Sequence, residues 1–295
     1  MLPIAMLTGI LLHNYIGYVA FLSRYLIFIM LLITYCRVKA SDFHIGGYIY
    51  TLLCAQIGGA VCAYLLLSPF NEILAQGAFI CFFCPTATAA PVITGILGGS
   101  ISRVATFSLF SHVSVAILAP FLLSWMAGES TPASEISFSD SVFTIAITVL
   151  PLILGPLAIA FLLQRFSPKT RDAIANHQGL SFYIWAFALI IVVGNSVSFI
   201  LHEPSDMVPE IVMIAGISLI ACILQFFIGR KTGAHYGDTV SGSQSLGQKN
   251  TVLAIWLSLT YLDPIISVAP AAYVAWHNTF NAIQIYRHEK TLKSS

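Results

Sequence analysis

Two short stretches hold the residues whose type and spacing could do chemistry. In the first, Cys84-Pro85-Thr86-Ala87-Thr88-Ala89-Ala90-Pro91, two prolines remove backbone donors on either side of two threonines. In the second, Gly242-Ser243-Gln244-Ser245 leads into Gly247-Gln248-Lys249-Asn250-Thr251. Both interrupt long apolar runs. Backbone that leaves the helix at membrane depth is tolerated only where protein covers it or water reaches it. The freed N–H groups that open the next helical segment then suit an anion. The bland reading of the first stretch is a proline-kinked helix whose threonines bond to their own backbone. Two breaks at matching places in the two halves of the chain favour a binding role instead.

Lys249 is the sharpest single residue. A lysine near the centre of a spanning helix costs roughly 2.5 to 3.5 kcal/mol on insertion, so it must face a partner or a cavity. Snorkelling is the alternative, but about ten apolar residues separate it from Asp263, a long way for one side chain. The partners to expect are carbonyls at a helix C-terminus, Gln56 and Asp238. His277 and Asn278 stand beside the second break as further candidates. Gln56 and His112 read more simply as hydrogen-bonding residues between helices, and Asn195 and Ser196 fit either such a bond or a cavity wall.

The elements that must position these residues follow from composition. Of 295 residues, 58% are hydrophobic and 8% charged. A soluble domain carries about 25% charged residues, so a water-soluble globule of this length would lack polar cover. That excludes a soluble enzyme and a disordered protein, and a net charge of +1 offers no field for nucleic acid. Continuous apolar runs exclude a membrane β-barrel. The expected fold is all-α, a polytopic membrane protein of about ten spans. The spans run Leu2–Leu12, Leu22–Cys36, Ile45–Leu67, Glu72–Leu97, Ile101–Met126, Val142–Leu163, Leu180–Leu201, Ile211–Ile228, about Tyr236 to Leu262, and Pro264–Tyr286. Met1–Leu12 reads as a short first span rather than a cleaved signal. The six cysteines all sit inside apolar runs, so neither a disulfide framework nor a metal site is expected. No cofactor is implied.

Charge placement sets the topology. Arg37, Lys39, Arg103, Arg165, Lys169, Arg171, Arg230, Lys231, Arg287, Lys290 and Lys293 fall on one side, and the acidic loop residues on the other. The rule that basic loops are cytoplasmic puts both termini in the cytoplasm and the chain in the plasma (inner) membrane. A polar loop, Gly128–Ser141, separates residues 1–127 from 142–290. Each half holds five spans, so the halves have opposite topology, and the fourth span of each is the broken one. That is the pattern of an inverted-repeat transporter.

At these residues the chain resembles the bile acid:sodium symporter family in its bacterial form. The resemblance is carried by Ser41-Asp42-Phe43, Gln56, Cys84-Pro85-Thr86-Ala87-Thr88-Ala89, Gly247 with Asn250, and Trp276-His277-Asn278. It implies a panel domain of spans 1, 2, 6 and 7, and a core domain of spans 3–5 and 8–10. It also implies a crossing of spans 4 and 9, and alternating access for amphipathic or small organic anions. Thr88, Asn250 and Asn278 match positions near the family's substrate pocket, and His277 joins them as a candidate. The family's sodium sites carry over poorly. Their Ser-Asn pair falls at Ala90 and Pro91, a Ser and a Thr at Val104 and Ser108, the shared glutamate at Ser245, and one glutamine at Lys249. Gln56 matches the other glutamine. Ser108, Ser245, Gln248, Lys249 and Gln56 therefore form the candidate ion or coupling set.

The functional expectation is a secondary transporter of an organic anion, with Lys249 supplying a fixed or proton-dependent charge in place of sodium. The alternative is a conventional sodium symporter with backbone ligands. A membrane-embedded enzyme or sensor would need clustered carboxylates or an appended domain, and neither is visible. Partners are a small organic anion and the lipid bilayer. The sequence leaves open the substrate, the coupling ion and the oligomeric state.

Overall fold

A computed structural model describes residues 2–37, 46–126, 137–176, 178–202 and 207–294. Ser41-Asp42-Phe43, Lys39, residues 127–136 of the loop between the halves, Glu203 and Asp206 lie outside the described residues. Helix α1 (Leu2–Leu11) and the short α2 (His13–Ile16) lead through a 3₁₀ turn (Gly17–Val19) to α3 (Leu22–Arg37). Then come α4 (Gly47–Leu67), α5 (Glu72–Phe83), α6 (Ala90–Ile96) and α7 (Ile101–Met126). The remainder is α8 (Phe138–Phe166), α9 (Pro168–Asn176), α10 (Gln178–His202), α11 (Val208–His235), α12 (Thr239–Gly247) and α13 (Thr251–Tyr261), a 3₁₀ turn (Pro264–Ser267) and α14 (Val268–Ser294). Among the described residues the fold is all-helical, and an isolated bridge between Thr86 and Lys249 is the extent of its β pairing.

Among the described residues, five helices are long and apolar enough to cross a membrane: Gly47–Leu67, Ile101–Met126, Phe138–Phe166, Tyr183–Leu201 and Val208–His235. His13–Val19 and Leu22–Arg37 make a sixth if taken together, bent by 71°. The chain is a multi-pass membrane protein. Its outward surface agrees: Leu11, Phe70 and Phe166 are all more than three-quarters exposed, which water would penalise and lipid does not. The helices interrupt where the sequence places breaks, at Cys84–Ala89 and at Gln248–Asn250. Several boundaries differ, α14 by the most: it runs eight residues past the expected Tyr286 to Ser294, and α8 begins at Phe138, four residues before Val142. Helix α11 runs seven residues past the expected Ile228 to His235, because Arg230 is exposed and satisfied by solvent without ending the helix. Pro168–Asn176, read as loop, is helical, with proline at its first position where a missing N–H costs nothing.

The chain divides into two compact units. The first comprises Met1–Lys39, His112–Ile211 and Val252–Val268. Within it α1 lies against α10 at glycines: a Cβ on Gly9 would fall 2.7 Å from the Ile190 carbonyl oxygen, so only glycine lets the backbones meet. His112 is buried edge-on to Tyr35, ring centroids 5.9 Å apart, the packing role the bland reading gives it. Pro151 and Pro156 sit inside α8.

The second unit comprises Ala40–Ser111, Val212–Thr251 and Ala269–Ser295, and it contains both breaks. A core of Tyr48, Ile49, Leu52, Phe107 and Leu246 joins α4, α7 and α12. The two half-helices that enter the breaks are capped alike: Asn71 accepts from Leu74 N–H at 2.9 Å at the start of α5, and Asp238 from Ser241 N–H at 2.9 Å at the start of α12. Gly98, at φ +79°, turns the chain out of α6 in the left-handed conformation that glycine adopts without cost.

Candidate functional site

The site begins with backbone groups that a broken helix leaves without partners. Helix α5 ends at Phe83 because Pro85 cannot continue it, which exposes its last carbonyls. Those carbonyls are met one by one. Phe82 O accepts from the Lys249 ammonium at 2.7 Å. Phe83 O and Cys84 O accept from the Gln56 side-chain amide at 2.7 and 3.2 Å, and Pro85 O accepts from Asn250 N–H at 2.8 Å. Gln56 is itself held by Ser111, whose hydroxyl donates to its amide oxygen at 2.7 Å.

Helix α12 ends in the same region, and its carbonyls are met by neutral donors. Ser245 O accepts from the Thr86 hydroxyl at 2.6 Å, Gly247 O from the Tyr273 hydroxyl at 2.9 Å, and Gln248 O from Ala87 N–H at 3.1 Å. The two breaks thus pair with each other, backbone to backbone, through 85–87 and 248–250. Gln248 donates to Gln244, one turn back in α12. The Ser245 hydroxyl sits 3.1 Å from that of Tyr48.

The charge at the centre is unusual. Lys249 is 2% exposed and, among the described residues, makes no ion pair with a carboxylate. Its nearest titratable neighbours are the thiols of Cys84 and Cys81, which hold their protons at neutral pH. What offsets burial is the carbonyl end of α5, where a helix carries partial negative charge and a cation is favoured, by up to about 2 kcal/mol in a partly buried geometry. Of the three partners expected for Lys249, the helix-end carbonyl is the one it takes. Gln56 bonds the two adjacent carbonyls rather than the ammonium. Asp238 lies at the other end of α12, where its carboxylate accepts from Ser241 N–H, the Ser241 hydroxyl and Ser100 N–H.

The other candidates are spread around this centre. Thr88 is half-buried in the first break, and Asn250 is buried in the second. Asn278 is half-buried, and its amide donates to Val274 O of its own helix at 2.7 Å. His277 is 5% exposed, edge-on to Tyr273 with ring centroids 5.5 Å apart. Ser108 is buried on α7. Among the described residues no three His, Cys, Asp or Glu side chains gather as metal ligands.

Sequence reasoning passes over Tyr48, Gln225 and Tyr273. Gln225 donates to Cys81 O at 3.1 Å and to the Tyr273 hydroxyl at 3.0 Å, so it ties α11 to α5 and α14. A glutamine inside an apolar run is the same signal that singles out Gln56. The tyrosines give none, since a tyrosine in a membrane helix reads as apolar bulk.

No family model matches the chain. It is 22% identical over 207 residues to YocS of Bacillus subtilis (strain 168), named as an uncharacterized sodium-dependent transporter; the match covers 70% of this chain and 61% of that protein. It is 23% identical over 233 residues to BASS2 of Oryza sativa subsp. japonica, named as a probable chloroplastic sodium/metabolite cotransporter, covering 78% of this chain and 52% of that one. The chain therefore spans about half to three-fifths of the length of these curated relatives. Its distant homologues thus include proteins named as a sodium-dependent transporter and a sodium/metabolite cotransporter.

Proposed function

We propose that the chain is a secondary transporter of an organic anion in which Lys249 takes the place of a bound sodium ion. The observation that carries this reading is the 2.7 Å bond from the Lys249 ammonium to the Phe82 carbonyl in the last turn of α5. Carbonyls at a helix end are what a bound cation would use, and here a tethered cation already uses them. The neighbouring carbonyls of Phe83, Cys84 and Pro85 each accept a bond from the protein as well. A sodium ion about 4 Å from the ammonium would be repelled by roughly 4 kcal/mol at an effective dielectric near 20, more than a hundredfold in affinity. A positive charge with no carboxylate beside it favours an anionic substrate in the region of Thr88, Asn250 and Asn278.

The architecture that goes with this reading has ten spans in two inverted repeats, residues 1–127 and 142–290. Both termini are cytoplasmic, and panel spans 1, 2, 6 and 7 work against core spans 3–5 and 8–10 in alternating access. In its support, one interrupted helix occurs in each half of the chain. A second reading, a sodium symporter whose ligands are backbone oxygens, is favoured by the names of the two relatives.

One experiment separates them. The purified protein is melted with a panel of bile acids and short carboxylates, in choline chloride and in sodium chloride. A ligand of the folded form raises the melting temperature. The expected result is stabilisation by an anion in choline chloride that sodium leaves unchanged, and its loss in Lys249→Gln, which keeps a donor and removes the charge. Saturable stabilisation of the unaltered protein by sodium would establish the second reading instead.

A further inference from the structure

The inner face of α14 carries a column of polar side chains that begins at the site above and runs well beyond it. Tyr273, His277, Asn281, Gln284 and His288 recur every three or four residues, so they share one stripe of the helix. Exposure rises along it. Tyr273, His277 and Asn281 are 1, 5 and 5% exposed, Gln284 and His288 are half-buried, and Arg287 and Lys290 beside them are exposed. At a rise of 1.5 Å per residue the stripe covers about 22 Å.

Both ends of the stripe connect. At the buried end, Tyr273 bonds Gly247 O, two residues before Lys249, and accepts from Gln225, whose amide also holds Cys81 O. Further along, Gln284 accepts from Gln244 at 2.8 Å, and Gln244 accepts from Gln248, the residue before Lys249. Three atoms on this line are buried with no hydrogen-bond partner among the described residues: Nδ1 of His277, Oδ1 of Asn281 and Oε1 of Gln225. Buried polar atoms are nearly always paired, and unpaired ones that cluster are the usual seats of ordered water.

We propose that this stripe binds a file of water through which Lys249 exchanges protons with solution at the basic end of α14, making the transporter proton-coupled. The proposal rests on the reading of Lys249 as the built-in cation. The titratable groups facing the column are Cys81 and Cys84 of α5, Cys222 of α11, Tyr48 of α4 behind Ser245, and Tyr273 and His277 of α14 itself, with His288 and the exposed Arg287, Glu289 and Lys290 at its open end. Burial disfavours the charged form of every group, which keeps cysteine and tyrosine protonated and lets the Lys249 ammonium release its proton, while His277 can pass one between its ring nitrogens. Water accepts a proton from the ammonium and hands it along the file; nothing else is consumed.

The test is reductive methylation of the full-length protein by formaldehyde and dimethylamine borane, read by mass spectrometry on the peptide holding Lys249. Formaldehyde is close to water in size and reacts only with the neutral amine. Lys249 should be methylated, faster at about pH 9 than at about pH 6. Asn281→Leu, which plugs the column without touching Lys249, should slow the reaction by about an order of magnitude while Lys290 reacts as before. Hydroxyl-radical footprinting of the unaltered protein gives a readout that needs no variant: Tyr273 and His277 should label well above the dry core residues Phe79 and Phe83. An unreactive Lys249, a rate indifferent to the plug, or labelling no faster than that of Phe79 and Phe83 overturns the proposal. The transporter reading fails separately. Anion stabilisation without sodium beside an unreactive Lys249 leaves that reading standing and this one refuted. A reactive, plug-sensitive Lys249 with no anion effect does the reverse.

Discussion

The two breaks solve one problem with opposite chemistry. Each stops a helix of about ten residues inside the second unit and leaves carbonyls to be satisfied. The first break, at Cys84–Ala89, is made by proline and carries no charge; its carbonyls are met by a lysine and a glutamine from elsewhere. The second, at Gln248–Asn250, supplies that lysine; its own carbonyls are met by the hydroxyls of Thr86 and Tyr273 and the N–H of Ala87. One helix end therefore receives a full positive charge and the other only dipoles. Two breaks that pair with each other need not be chemically equivalent, and the charged one is where the proposed coupling is to be sought.

Removing Gln56 should break the comparison hardest. Gln56→Leu leaves the Phe83 and Cys84 carbonyls and the Ser111 hydroxyl without their donor or acceptor. Unsatisfied buried groups cost about 1–3 kcal/mol each, so a loss on the order of 3 kcal/mol is expected. The melting temperature should fall further than in any other variant named here. Gln56→Glu sharpens the point: a carboxylate cannot donate to those carbonyls but adds a negative charge near Lys249. A melting temperature for Gln56→Leu equal to that of the unaltered protein would mean that Lys249 alone holds the end of α5.

Thr86→Val tests the neutral end. It keeps the shape and removes one 2.6 Å bond to Ser245 O. About 1–2 kcal/mol is expected, less than for Gln56 because a single acceptor is left. Anion binding should be retained, since Lys249 keeps its bond to Phe82 O. Loss of anion binding at unchanged stability would move the functional weight from the lysine to the second helix end.

Much of this was legible in the sequence because breaks need special residues. Pro85 and Pro91 announce the first break, and a lysine in an apolar run announces the second. That Lys249 would seek a partner follows from its charge alone, with helix-end carbonyls, Gln56 and Asp238 all eligible. Which carbonyl, and that Gln56 would take the neighbouring ones, depends on backbone pairing between residues 85–87 and 248–250, and backbone bonds leave no trace in side-chain identity. Asp238 illustrates the limit: the nearest acidic residue in sequence, it is spent on capping α12 a full half-helix away. The stripe on α14 is different, since Tyr273, His277, Asn281, Gln284 and His288 are spaced for all to see. A hydropathy average over a span dilutes them, and so they pass as background. The panel and core assignment rests on resemblance rather than on any local signal.

The smallest effect is at the opposite ends of the same two half-helices, where the comparison can be made between caps. Asn71 accepts one bond, from Leu74 N–H. Asp238 accepts from two backbone donors and a hydroxyl, and it brings a full negative charge to a helix N-terminus. Replacing a cap by alanine costs about 0.5–2 kcal/mol. Asn71→Ala should lie near the lower end of that range, because one bond is lost and its site is only half-buried. Asp238→Ala should lie near the upper end, because it removes a charge and three bonds, although Ser100 N–H and the Ser241 hydroxyl still pair with each other. Asp238→Asn, which keeps the shape and removes the charge, should fall between them. If Asn71→Ala and Asp238→Ala shift the melting temperature equally, then the charge and the extra bonds at Asp238 add nothing, and the asymmetry between the two half-helices is confined to the ends that meet at Lys249.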